Sequence, residues 1–377
     1  MKKRFSLLAV ALTALLLCIS CNSKPKIQVA DDESIVYFCK DITPENILKL
    51  YEALGVKQEG KIGLKVHFGE EGNQNFLNPE LLRPLVEKVH PTFVETNVLY
   101  VSKRRFTDSH IALAKEHGFT FAPIDILDAE DELVYPAEGL KHFDKIKTGS
   151  HFANYDAYII YSHFKGHGSA GFGGAIKNIA MGLASPGGKM AQHAEAFPSC
   201  RNANSCVGCN RCVQQCPAGA ITITDEGPVI DTSKCIGCAK CIAECPLKIF
   251  TPGKGADEEV FLERLVEYAK VLSEKKPMVY INVMDNISKS CDCSGKAPAP
   301  FMEKVGAVAS TDIVAIEMAC HQLTALKQKT EDAFKDVNGI SGLGQVEYAY
   351  KLGMGNKKFV LVDVVTGERI SLEDAVK

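Results

Sequence analysis

The sequence predicts an α/β protein: a largely parallel sheet flanked by helices, interrupted by a small α+β module. Three observations predict it. From residue 34 onward, apolar runs of strand length alternate with runs of helix length, the rhythm of parallel βαβ units. A cysteine-dense stretch, 198–252, breaks that rhythm. The rhythm then resumes, so 34–197 and 253–377 are expected to form one discontinuous domain around the insert.

The elements follow in order. "SIVYF" (34–38) reads as a strand. "TPENILKLYEALG" reads as a helix, with Thr43 as N-cap, Pro44 in the first helical position and Gly55 just past the end. A strand at 61–68 precedes a helix at 78–89, capped by Asn78 with Pro79 behind it. Strand 92–96, helix 107–118 and strand 119–126 follow, then strand 156–163, a glycine-rich loop and the helix "AIKNIAMGLA". After the insert come helix 257–273, strand 277–284, helices 312–326 and 345–352, and strand 358–364.

The insert carries Cys206-x2-Cys209-x2-Cys212-x3-Cys216-Pro217 and, starting 29 residues later, Cys235-x2-Cys238-x2-Cys241-x3-Cys245-Pro246. This is the bacterial ferredoxin run for [4Fe–4S] clusters, written twice. Three closely spaced thiolates wrap one cubane from a single loop, and the cysteine beside proline reaches the other cluster. The expected sets are Cys206, Cys209, Cys212 and Cys245 for one cluster, and Cys235, Cys238, Cys241 and Cys216 for the other. Zinc sites favour two separated pairs, and a disulfide framework gives no reason to repeat the spacing with proline in both copies. The insert is therefore expected to be a two-cluster ferredoxin-like module.

With 377 residues, 46% apolar and 24% charged, the chain suits a folded protein of roughly two domains. Net charge is −3, and no Lys/Arg block appears, which argues against a nucleic-acid partner. The N-terminus opens on Lys2, Lys3 and Arg4, continues apolar from Phe5 to Ile19 and reaches Ser20-Cys21. That pattern is too short for a comfortable membrane span and reads as a signal peptide over 1–20. It resembles a bacterial lipoprotein leader, which implies export, lipid on Cys21 and a polar tether over 21–33; Cys18 stands where leucine is usual. The leader lacks the arginine pair that export of a folded cofactor protein favours.

In open α/β sheets, ligands bind at the carboxyl ends of strands, and several expected strand ends here carry ionisable groups. Lys65 and His67 share one face of their strand, opposite Leu64, Val66 and Phe68. Glu70 and Glu71 follow; Glu95, Thr96 and Asn97 end the next strand, and Asp285 ends a later one. His163, Lys165 and His167 begin "HFKGHGSAGFGGAIKN" (163–178), whose Gly166, Gly168 and Gly171 form a literal G-x-G-x-x-G. No strand-ending acid follows at the dinucleotide spacing, so an anion or metal cradle, with Gly173 and Gly174 joining the loop, is the stronger expectation. Lys177 and Asn178 continue into the helix, and His193 and Cys200 lie between this loop and the thiol runs. Cys291 and Cys293, in "SCDCSG", can hold a metal, form a strained redox disulfide or stay unmodified. Cys39 and Cys320 read as small apolar core residues.

"KVHFGEEGN", "SHFKGHGSAGFGGAIKNIAMG", the doubled cysteine run, "CDC" and "GLGQVEYAYKLGMG" together resemble the domain-of-unknown-function family numbered 362, in its form with an inserted ferredoxin module. The resemblance covers nearly all the chain after the leader. It implies iron–sulfur binding, carries over the eight cluster cysteines and supplies no substrate. The leader departs from the many family members that are not exported. Two functions compete. One is a ferredoxin-coupled oxidoreductase whose second site uses Lys65, His67, His163, His167, Lys177, Asn178 and the Cys291/Cys293 pair, with a histidine as acid–base group and a further metal or anionic ligand. The other is a membrane-tethered electron carrier or metal-handling protein. The sequence names neither a redox partner nor a substrate.

Overall fold

The structure is a computed structural model that describes residues 27, 29–193, 197–235, 237–253 and 255–377. The expected leader, Cys21 and most of the tether lie outside the described residues.

Strands β1 (Glu33–Cys39), β2 (Ile62–Lys65), β3 (Thr92–Glu95), β4 (Ile124–Ile126) and β5 (Ala157–His163) precede the cysteine-rich stretch. Strands β6 (Met278–Met284), β7 (Gly306–Ser310) and β8 (Lys358–Asp363) follow it. All eight join one sheet in the order β8-β1-β7-β6-β5-β2-β3-β4. Every neighbouring pair is parallel except those of β7, which runs antiparallel to β1 and β6. Strands from both flanks of the insert thus share one sheet.

Side chains alternate across this sheet. Leu64, Phe93, Ile159 and Ile281 pack with Ile47 and Leu50 of α1 (Pro44–Ala53), Leu85 of α2 (Arg83–Val89) and Ala114 of α3 (Thr107–Glu116). On the other face, Tyr158, Ile160 and Tyr280 meet Ile176 of α4 (Ala175–Gly182) and Leu265 of a long helix at Glu258–Lys275. Each fully buried aliphatic or aromatic side chain contributes about 1.5–3 kcal/mol, so two such layers can offset buried charge at the sheet's edge.

Several elements differ from expectation. The helix expected at 78–89 splits into a one-turn 3₁₀ segment, Pro79–Leu82, and α2. Pro84 falls in the first turn of α2, where its missing N–H costs nothing. The strand expected at 119–126 contracts to β4, and that at 61–68 to β2. Strand β7, a hairpin of Glu132–Pro136 with Lys145–Gly149, and a helix α5 (Pro186–His193) were not anticipated.

The insert is a unit with its own small core, including Ile221, Ile242, Ile249 and Phe250. Pro198–Cys200 pairs antiparallel with Phe250–Pro252 and closes its two ends. Its halves repeat in backbone detail. Gly208 and Gly237 have φ of 65° and 66°, and Asn210 and Ala239 have φ of 57° and 62°, each just ahead of a short helix. Asparagine adopts this left-handed conformation readily, but alanine rarely does; that Ala239 repeats the backbone of Asn210 marks a loop shape imposed beyond local preference. Among the described residues, no helix is long and apolar enough to cross a membrane.

Candidate functional site

From β2 the chain runs outward through β3 to β4, then returns with β5 on the other side of β2. The carboxyl ends of β2 and β5 therefore diverge at a topological switch point, where such sheets open a crevice. A cavity of about 260 Å³ lies there, and Lys65, His67, His163, His167, Lys177 and Asn178 all line it. His193, Cys291, Cys293, Gly173 and Gly174 line it too.

Glu95, at the end of β3, anchors the floor. It is 2% exposed, pairs with Arg104, accepts from the Phe68 N–H at 3.2 Å and lies 3.3 Å from His110 Nε2. Burial alone would raise its carboxyl, but Arg104, His67 and Lys65 hold it well below the usual carboxylate range. Lys65 Nζ donates to Asn178 Oδ1 at 2.9 Å and to the Val66 carbonyl, 4.0 Å from Glu95. Asn178 is fixed in turn by donating to the Tyr161 carbonyl and the Ser162 hydroxyl, both at 3.0 Å. Lys189 donates to the carbonyls of Asn97 at 2.7 Å and Ala184 at 2.8 Å, and to Thr96.

A second network holds the opposite wall. Asp292 is 1% exposed. It accepts from Lys165 at 3.2 Å and meets His163 Nδ1 at 2.9 Å, while His163 Nε2 donates to the Asp285 carbonyl at 2.6 Å. Burial would raise Asp292; His163 and Lys165 hold it far below its ordinary value. With Asp292 turned inward, its neighbours Cys291 and Cys293 face the cavity beside His167. The donor atoms of these three residues lie within 4.8 Å of one another, a group able to hold a metal ion. The hydrogen bond from Cys293 lowers the Cys291 thiol well below its ordinary value, helped by Lys177 and Lys165, and Cys293 is raised in consequence. Lys177 Nζ lies 3.8 Å from Cys291 Sγ. Burial pushes His67 and His167 well below the usual imidazole range and His193 down to about 4, leaving neutral rings.

Lys65, Arg104, Lys165, Lys177 and Lys189 line the cavity, against one lining carboxylate, Glu95. Among the described residues no carboxylate pairs with Lys177. Such a pocket favours a small anion.

The glycine motif does something different. Lys165–His167 and Gly171–Gly173 pair as a hairpin. Gly166 packs on Lys289, where a Cβ would come within 2.6 Å of a backbone oxygen; Gly171 packs on Gly342, and Gly168 faces open space. None of the three lines the cavity, so the literal G-x-G-x-x-G cradles no ligand there. Nor is the N-terminus of α4 free for an anion. The buried Glu317 carboxylate accepts from the Ile176 N–H at 3.1 Å, and a Cβ on Gly174 would lie 2.5 Å from it. Burial raises Glu317 to about 7. Asp285 contributes its carbonyl, not its carboxylate, and Glu71 pairs outward with Lys103 at 2.8 Å.

In the insert, one hollow is lined by Cys206, Cys209, Cys212 and Cys245, another by Cys216, Cys235, Cys238 and Cys241. Each set takes three cysteines from one run and its fourth from the other. The region is thus cysteine-rich and suited to metal. Cys39 and Cys320 are fully buried in the apolar layers.

The family model described as "Domain of unknown function (DUF362)" matches residues 62–322. The chain belongs to the DUF362 family. The match embraces the whole cavity and both thiol sets. No curated protein matches the chain. Several solved chains are distantly similar, among them the following two. The lactate racemase apoprotein from Thermoanaerobacterium thermosaccharolyticum shares 14% identity at a TM-score of 0.29, over 66% of this chain and 59% of that one. A protein from Thermotoga maritima shares 16% at 0.34, over 76% and 58%. The chain spans less than two thirds of either.

Three polar residues of the DUF362 pocket are absent from the sequence-based expectation. Tyr100 sits in the irregular segment after β3, Arg104 in a one-turn 3₁₀ helix at Lys103–Arg105, and Lys189 on α5. The "SKRR" run at 102–105 carried a signal, since charge clustered just past a strand end is unusual for a plain connection. Lys65 makes a testable case. Burial pulls its amine from 10.5 to about 7. Between those values the unfolded chain binds a proton the folded chain lacks, so stability rises with pH across that window and levels off below it. Lys65→Met is expected to flatten this rise in urea titrations at successive pH values; an unchanged slope would mean the amine is not buried.

Proposed function

We propose that this DUF362 protein is an iron–sulfur electron-transfer protein, an oxidoreductase in which two [4Fe–4S] clusters serve the basic pocket. The residues suit such clusters. Each hollow combines four thiols with apolar walls, including Ile223 and Phe250 in one and Ile221 and Ile230 in the other. Backbone N–H groups already point at sulfur: Gly208 at Cys206 Sγ, 3.4 Å, and Ala220 at Cys216 Sγ, 3.2 Å. When bound, clusters of this kind supply one-electron transfer at potentials tuned by such hydrogen bonds and by solvent access.

One observation carries the reading from carrier to enzyme. Helix α5 is the wall between thiols and pocket. Its Lys189 and His193 line the cavity, while Met190 packs into the insert's core and a Cβ on Gly187 would lie 2.8 Å from the Gly237 carbonyl and 3.3 Å from Cys238. Leu99 likewise lines the cavity and packs on the insert. A helix is about 10–12 Å across, so thiols and pocket stand about one helix apart with apolar side chains excluding water between them. Lys177 and Lys65 attract the anion, the uncharged rings of His67 and His193 line its walls, and Asn178 orients Lys65. The same reading extends to a protein tethered outside a bacterial membrane through Cys21.

Protein purified without oxygen is expected to be brown, to hold about eight irons per chain and to bleach with dithionite. Colourless, iron-free protein would sink the proposal. A small carboxylate whose affinity changes between oxidised and reduced protein is expected of the enzyme; redox-independent binding, or none, leaves only a carrier.

A further inference from the structure

We infer that His167, Cys291 and Cys293 form a separate mononuclear metal centre, for a borderline-soft divalent ion of the zinc class, with a free coordination position opening into the basic pocket. The inference goes beyond the electron-transfer reading and does not require the clusters.

The sequence places the donors economically. In Cys291-Asp292-Cys293 the middle residue is the buried anchor of Lys165 and His163. Its inward turn puts both flanking thiols on the cavity side, and the Cys293 N–H donates back to Cys291 Sγ at 3.5 Å. His167 arrives from the hairpin after β5, its ring packed near Phe261 with centroids 6.3 Å apart. The three donor atoms lie within 4.8 Å of each other. An ion held at about 2.3 Å by sulfur and about 2.0 Å by nitrogen needs its donors under about 4 Å apart, so side-chain rotation of about an ångström closes the site.

Donor chemistry selects the ion. Two thiols and an imidazole suit zinc-class transition metals, whereas magnesium and calcium demand oxygen cages. Three protein ligands leave one position open, the arrangement of catalytic rather than structural zinc. All three ligands line the cavity, so that position faces the lysines. Lys177, 3.8 Å from Cys291 Sγ, stands where it can hold a carboxylate bound to the ion.

The test uses the full chain, purified anaerobically with its iron, loaded with Zn²⁺ and freed of excess metal. Zinc-edge X-ray absorption reads zinc alone in the presence of iron. One zinc per chain is expected, with two sulfur and one nitrogen protein ligands. His167→Ala, and separately the pair Cys291→Ser with Cys293→Ser, are expected to weaken zinc binding at least tenfold while iron content and circular dichroism stay unchanged. Acetate is expected to alter the zinc edge, at higher concentration in Lys177→Ala. Zinc with four sulfur ligands, zinc retained at full affinity in His167→Ala, or a Cys291–Cys293 disulfide found by mass spectrometry in the anaerobic protein would each overturn the inference. Should the double-serine variant lose its fold, His167→Ala decides. Failure of the cluster reading shows separately, as missing iron.

Discussion

Cys216→Ser is expected to remove the cluster of the opposite loop and spare that of its own. Cys216 shares its hollow with Cys235, Cys238 and Cys241, whereas Cys206, Cys209 and Cys212 share theirs with Cys245. Iron should fall from about eight to about four per chain. The single variant does not reveal which four are lost, but a pair does. Combining Cys216→Ser with Cys206→Ser should leave almost no iron if the ligands cross, because each substitution damages a different hollow. If each loop instead kept its own fourth cysteine, both changes would fall on one cluster and about four irons would remain. Colorimetric iron assay on anaerobic protein distinguishes the two.

Glu95→Gln is expected to destabilise the fold by about 3–5 kcal/mol, the usual cost of leaving a buried charge without its partner. The group that loses its nearest partner is Arg104, itself 2% exposed, which keeps only the longer contact to Glu70 at 3.8 Å and has Lys65 beside it. Glutamine keeps the shape and one acceptor, so the loss reports charge rather than packing. The control is Glu71→Gln. Its pair with Lys103 spans 2.8 Å but both side chains are substantially exposed, and such pairs contribute at most about 1 kcal/mol. Urea unfolding of both variants, with iron content matched, gives the comparison. Equal losses would show that Glu95 is not the keystone of the pocket floor.

Much of the pocket was legible because parallel sheets advertise their ligand edge. Lys65 and His67 alternate with apolar neighbours at the end of β2, and His163 ends a run of buried residues. What stayed hidden depends on tertiary contact. "PGGKMAQH" has two glycines and a proline, poor helix formers, yet it folds as α5. Its glycines are needed where the helix backbone presses on Lys147 and Gly237, where a Cβ would meet a carbonyl oxygen at 2.3 Å and 2.8 Å. Lys189 was lost with it. "GAVAS" lacks the bulky β-branched residues that signal a strand, but between β1 and β6 only small side chains were required, and all five residues of β7 are buried. The glycine-rich loop misled in the opposite sense. Its glycines serve close packing, and the acid that fills the helix end behind it, Glu317, comes from 141 residues further on. A lone acid inside "IVAIEMAC" (313–320) was the available signal.

The thin partition formed by α5 also makes the two compartments thermodynamically reciprocal. A negative charge added at the thiols beyond Gly187 acts on an anion beside Lys189 across about 10–12 Å. At an effective dielectric constant of about 20 that repulsion is about 1.5 kcal/mol, roughly a tenfold change in occupancy. If the thiols hold the proposed clusters, the same linkage would make an electron harder to add while the pocket is occupied. Loading and discharge would then alternate without any moving part, the ledger kept by Coulomb's law alone.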